Sequence, residues 1–242
     1  MPLRKVQFCP GEFYHVFNRG NARQEIFFSD KDRYRFLQAM YLSNNVNQFT
    51  GVFDLERNKS GHTLVELKEL LEQNHIGYDP LVRICTDCLM PNHFHFILEE
   101  LKNGGISLFM QRLGTSYGKY FTIKYDRPGS LFQGRFKAVH ISNDDQLKYL
   151  LAYINVINPA QLIEPELKEA GIKDFNKIWQ WVNNYNWGAH QEYMDKRNSI
   201  IIDKGLLGKI FPTVESYQKF MKGVLRGKEI NMWEFIEELT ID

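Results

Sequence analysis

His93 and His95 stand two apart in the stretch Leu89-Met90-Pro91-Asn92-His93-Phe94-His95-Phe96-Ile97-Leu98. On a β-strand, side chains alternate with period two, so both imidazoles leave one face while Phe94 and Phe96 fill the other. Two imidazoles on one rigid face make a ready site for a divalent metal ion. The same spacing also suits a half-buried pair with satisfied hydrogen bonds, and the two residues alone leave both readings open. A second group lies downstream, where Leu147, Leu150, Leu151 and Ile154 mark the buried face of a helix from Asp144 to Asn158. Tyr153 lies to one side of that stripe. A phenolic hydroxyl packed under a two-histidine metal site has a specific use: attack on phosphorus while the ion stabilises charge on the phosphate oxygens. The bland alternative is an interfacial tyrosine whose hydroxyl reaches the surface.

These residues need a frame. Residues 12–19 read as a strand rich in β-branched and aromatic residues, ended by Gly20-Asn21. Ser29-Asp30 is a helix cap, and the helix runs from about Lys31 to Asn44. Leu81 to Leu89, the Pro91-Asn92 turn and His93 to Glu100 form a hairpin at the centre of a sheet. A helix from Ile106 to Lys124, a strand from Leu131 to Ile141 and the Tyr153 helix follow. The order strand, helix, hairpin, helix, strand, helix fits an α+β fold: a ferredoxin-like antiparallel sheet with helices on one face, plus a C-terminal helical extension. Residues 1–160 are read as the catalytic domain, with an insertion at about 47–80 that contains a short amphipathic helix from Thr63 to Asn74. Residues 161–242 are read as the extension. There Trp179, Trp181, Tyr185 and Trp187 form a packing cluster, and short helices are expected at Tyr217–Leu225 and Met232–Leu239.

The 242 residues carry 30 basic and 29 acidic side chains, so the net charge of +1 names no partner. Local charge says more. Between Arg112 and Lys137, basic residues alternate with Tyr117, Tyr120, Phe121, Tyr125, Phe132 and Phe136, against the lone acid Asp126. Basic groups neutralise phosphates and aromatic faces accept unstacked bases, which suits single-stranded nucleic acid. A solvated helix face with its aromatics in the core fits the same residues equally well. Cys85 and Cys88 have zinc-knuckle spacing but lack a second pair, and three cysteines make no disulfide framework. Their thiols are expected to diverge on a strand. No apolar run reaches the length of a membrane span, and a cytoplasmic location is expected.

The chain resembles the HUH single-tyrosine transposases, in particular the REP-associated tyrosine transposase branch. The resemblance rests on Tyr14-His15-Val16 with Asn18-Arg19-Gly20-Asn21, on Leu89 to His95, on Gly129 to Lys137, and on Tyr153-Ile154 with Asn158-Pro159. The Trp-rich stretch and Ile201-Ile202-Asp203 resemble the branch's extension. The resemblance implies a metal-dependent endonuclease and strand transferase that cuts and rejoins single-stranded DNA through a 5′-phosphotyrosine at Tyr153. It implies Mg2+ or Mn2+ held by His93, His95 and a carboxamide, and a DNA partner with a hairpin beside the cleavage site. Arg19 and Arg135 are assigned to phosphate contact, with Arg112, Lys119, Lys124 and Lys137 as further DNA-binding residues. A monomer or a homodimer is expected, the extension favouring the monomer. The rival reading is a domesticated, non-catalytic nucleic-acid-binding protein that keeps the fold.

One spacing departs from the family. Its carboxamide stands four residues after the tyrosine, where this chain has Ile157; the asparagine is Asn158. At about 100° per residue, the five-residue step leaves Tyr153 and Asn158 about 140° apart on an ideal α-helix. Our reading is a π-bulge between Tyr153 and Asn158, as occurs at functional sites. A regular helix there would leave another third ligand or a degraded site, and Tyr149, one turn earlier, is the substitute nucleophile.

Overall fold

The structure, a computed structural model, describes residues 6–47, 63–167 and 171–227. Four strands, β1 (Phe13–Arg19), β2 (Val82–Met90), β3 (His93–Glu100) and β4 (Lys137–Ile141), form one sheet in the order β2-β3-β1-β4. All three pairings are antiparallel. With helices α1 (Asp30–Ser43) and α3 (Gly105–Tyr125) as the two crossovers, this is the ferredoxin-like α+β arrangement. Helix α2 (Leu64–Gln73) is closed by a capping box in which Thr63 and Glu66 satisfy each other's backbone amides.

Alternation along β1 and β3 sorts the core into two layers. Tyr14, Val16, Phe94, Phe96 and Leu98 face α1 and α3, where Phe36, Met40, Phe109, Leu113 and Tyr117 meet them. Ile97, Cys88 and Met90 face helix α4 (Asp144–Ala152), its continuation and the C-terminal extension. Helices therefore cover both faces: the two crossovers on one, the added helix on the other. The hairpin is not central, because β1 inserts between β3 and β4 and leaves β2 at the edge.

That edge is closed by the extension. Leu89 N donates to Trp187 O, Ala189 N to Asp87 O, and Asp203 N to Ile84 O. The Tyr185 and Tyr193 hydroxyls donate to the Leu89 and Cys85 carbonyls. An unpaired edge is thereby covered along most of its length. Trp181 Nε1 donates to Pro159 O at 2.8 Å, tying the aromatic cluster to the end of the Tyr153 helix. Helices α5 (Phe175–Asn184) and α6 (Val214–Leu225) pack into the same core layer. The expected helix at Met232–Leu239 lies outside the described residues.

Two strand features differ from the sequence reading. The Leu131 strand begins only at Lys137: Phe132 makes an isolated bridge to Gly20, and Gly134, at φ 75°, turns the chain before pairing resumes. In β2 a bulge between Ile84 and Thr86 resets the alternation. Cys85 and Cys88 consequently fall in the same core layer, as free thiols whose ionisation burial pushes upward.

On the α1–α3 side, Asp32 is fully buried and organises its surroundings. Its carboxylate accepts from the Phe28 and Ser29 amides, the Ser29, Tyr120 and Tyr125 hydroxyls, and Lys124 Nζ at 2.6 Å. Burial pushes its pKa up, but the hydrogen bonds from Lys124, Tyr125, Tyr120 and Ser29 outweigh it and hold the group at about 2. A depressed folded pKa gives stability that is present above the unfolded value and fades as pH falls toward 2. Asp32→Asn should cost about 2 kcal/mol at pH 7, since the buried donors keep only a neutral acceptor. In urea titrations that deficit should shrink progressively below about pH 4. An equal deficit at pH 7 and pH 2.5 would show that the charge of Asp32 is not what stabilises the fold.

Candidate active site

The register of β1 on β3 brings a third histidine to the pair. Phe17 lies opposite His95 and Arg19 opposite His93, so Arg19, Phe17 and His15 share the face of the two histidines. His15 is fully buried, and its Nε2 is hydrogen-bonded to His95 Nδ1 at 2.8 Å. The two imidazoles stack at 5.1 Å, and Phe17 stacks on both. His93, less buried, holds its Nδ1 at 2.6 Å from Asn92 Oδ1. The His93 and His95 rings stand 4.9 Å apart, edge to face. Each ring is therefore oriented through Nδ1, and Nε2 is the nitrogen each would turn to an ion.

Helix α4 delivers the tyrosine onto this face. The Tyr153 ring meets His95 edge to face with centroids 5.7 Å apart, and Tyr153 is 3% exposed. Beyond Tyr153 the helix widens: residues Tyr153–Ile157 form a π-turn, and the Asn158 amide donates to the Tyr153 carbonyl, a five-residue step. The π-bulge read from the spacing is present. A π-turn stacks residue i+5 above residue i, as an α-turn does residue i+4. Pro159 favours the widening, because its ring would press on the Asn155 carbonyl in an unbroken α-helix. Asn158 is 1% exposed and its Nδ2 has no hydrogen-bond partner among the described residues. A buried carboxamide with an unsatisfied end is costly unless something else engages it.

These features bear on the expected metal. Among the described residues, no group of three or more His, Cys, Asp or Glu side chains is arranged to hold an ion. The set expected here is different in kind, two imidazoles and a carboxamide. The two rings held through Nδ1 fit its imidazole part; the unbonded atom of Asn158 is Nδ2, a donor, so Oδ1 is the atom that would complete the set.

The six expected DNA-binding residues divide between the faces. Lys137 pairs with Phe17 across β1 and β4, its Nζ 5.6 Å from the Phe17 ring, so it lies on the histidine face with Arg19. The Arg19 Nε donates to Gln133 Oε1. Arg135 is exposed in the loop that leads into β4. Arg112, Lys119 and Lys124 all ride on α3, which packs on the opposite side of the sheet. Arg112 donates to the Asn45 carbonyl, and Lys124 is bound to Asp32. The structure brings together His93, His95, Tyr153, Arg19 and Lys137, and adds His15, whose face could not be known before the β1–β3 register.

The class defined so far is a ferredoxin-like α+β protein whose sheet histidines meet a helix tyrosine. Residues 56–156 match the family model described as transposase, IS200-like. The match takes in His93, His95 and Tyr153 and stops short of Asn158. No curated protein matches the chain. Among solved structures, a REP-associated tyrosine transposase bound to a REP hairpin is similar at 12% identity, covering 84% of this chain and 94% of that one, with a TM-score of 0.45. A tRNA(His) guanylyltransferase from Saccharomyces cerevisiae is similar at 12% identity, covering 75% of each chain, with a TM-score of 0.30. No helix among the described residues is long and apolar enough to cross a membrane.

Proposed function

We propose that the protein cuts and rejoins single-stranded DNA through a 5′-phosphotyrosine at Tyr153, as a metal-dependent transposase of the REP-associated branch. The observation that carries this reading is the contact between the Tyr153 ring and His95, one of two histidines oriented on the sheet below it. His93, His95 and Asn158 would hold Mg2+ or Mn2+. When bound, the ion would polarise the scissile phosphate and stabilise charge on its oxygens. Tyr153 Oη would form a bond to phosphorus as the bond from phosphorus to the 3′ oxygen breaks. The phenol loses its proton, and the departing 3′ oxygen gains one to become a free hydroxyl. Rejoining reverses these exchanges, so the phosphodiester bond energy is conserved in the enzyme–DNA link. Arg19, Lys137 and Arg135 would contact phosphates beside the histidines, and a DNA hairpin would flank the cut. The basic residues of α3 would meet only DNA that passes to the other face.

The burial of Tyr153 and Asn158 supports a second reading, a non-catalytic nucleic-acid-binding protein that keeps the fold. A covalent assay separates the two. Labelled single-stranded DNA carrying a hairpin, incubated with protein and Mn2+, should yield an adduct that survives SDS. Tyr153→Phe should abolish the adduct and Tyr149→Phe should retain it. An adduct persisting in Tyr153→Phe would refute Tyr153 as nucleophile, and a parent protein that binds the DNA without forming one supports the second reading.

His15 acquires a role in the first reading. For His95 to offer the Nε2 lone pair, its Nδ1 must carry the proton and donate to His15 Nε2. Groups that orient a ligand in this way typically contribute 10–100-fold to metal affinity. His15→Leu should therefore weaken Mn2+ binding by about tenfold or more in titration calorimetry. Unchanged affinity would leave His15 a packing residue.

A further inference from the structure

The π-turn is one residue wider than the family's spacing requires, and a buried polar chain passes through its middle. Asn155, the third residue of the turn, is 1% exposed. Its Oδ1 accepts from Thr86 Oγ1 on β2 at 2.5 Å, and its Nδ2 donates to the Tyr217 hydroxyl on α6 at 2.9 Å. The Tyr217 hydroxyl and His190 Nδ1 are 2.8 Å apart. Burial depresses the His190 pKa to about 3, so the ring is neutral and can accept. Asn155 Nδ2 can only donate, so the Tyr217 oxygen accepts from it, while the direction of the Tyr217–His190 bond follows the tautomer of the His190 ring.

We infer that Tyr217 and His190 of the extension are positioning residues for the Tyr153–Asn158 pair, acting through Asn155 to hold the five-residue turn open. The inference rests on the role given to that pair under the proposed function. Its physical basis is the competition between helix types. A helix closes to the i→i+4 pattern unless something opposes it, here Pro159 from within the segment and the partners of Asn155 from outside it. Closing the turn would rotate everything beyond it by about 100° and carry Asn158 off the face of Tyr153. It would also pull the Asn155 carboxamide from partners on two different elements, leaving buried donors and acceptors unmatched. Thr86 holds one side of Asn155 to the sheet and Tyr217 holds the other to the extension. The extension thus does more than cover the β2 edge: it sets the register of the helix that carries the nucleophile.

The full-length chain tests this with Tyr217→Phe, which removes only the linking hydroxyl. Amide hydrogen exchange should rise about tenfold or more at Asn158, whose N–H makes the five-residue bond, relative to Leu150 in α4. Mn2+ affinity should fall about tenfold. Deleting Val156 restores the four-residue step, and in that background Tyr217→Phe should no longer alter Mn2+ affinity. A rise in exchange shared equally by Asn158 and Leu150 would indicate general destabilisation and overturn the inference. So would a loss of Mn2+ affinity that persists undiminished in the deletion background. If Tyr217→Phe does not fold, Thr86→Val severs the same chain from the sheet side and is read in the same way. A parent that binds no Mn2+ would overturn the metal reading of the pair, while the Asn158 to Leu150 exchange ratio still decides the positioning role.

Discussion

A carboxamide buried in the middle of a helix must find partners outside that helix, and Asn155 finds them on two elements at once. This constraint ties together parts of the chain that are otherwise far apart. Thr86 lies on the edge strand of the sheet, Tyr217 on the last described helix, and the π-turn runs between them. The helix cannot slide along the sheet or close to α geometry without stranding at least one buried polar group. Tyr153, held two residues earlier on the same segment, inherits that rigidity where its ring meets His95.

The two faces of the sheet solve different problems. Toward α1 and α3 the core is aromatic and closed, and the buried carboxylate of Asp32 is satisfied by six donors. Toward the Tyr153 helix the strands present polar groups in a row: His15, His95, His93 and Arg19, with Phe17 stacked beneath the imidazoles. Such groups are tolerated at a buried surface because each is oriented by a neighbour, His95 by His15 and His93 by Asn92. The candidate site is thus confined to one face, while the other is a closed apolar layer.

Much of this was legible before any coordinates. The spacing of His93 and His95 placed both on one face, because the period of a strand is local. Ser29 and Thr63 marked helix starts that the structure keeps, because a cap is satisfied within a few residues. Other features escaped for equally physical reasons. The bulge at Cys85 leaves no signature in residue type, and it turned two thiols expected to diverge into one layer. Lys124 read as a cation beside aromatics; its carboxylate partner, Asp32, is 92 residues away.

What the sequence by itself determined is therefore the local geometry: which residues share a strand face and where helices begin, while the wide turn was one of three readings of the Tyr153–Asn158 spacing. Dihedral periods and short-range hydrogen bonds set these, and they act over a few residues. Only the tertiary structure decided that His15 meets His95 across 80 residues and that Tyr217 meets Asn155 across 62. Those pairs depend on strand order, register and the docking of the extension, which emerge when the whole core is packed at once. The histidine pair was written in the strand, and the neighbours that orient it and the tyrosine came with the fold.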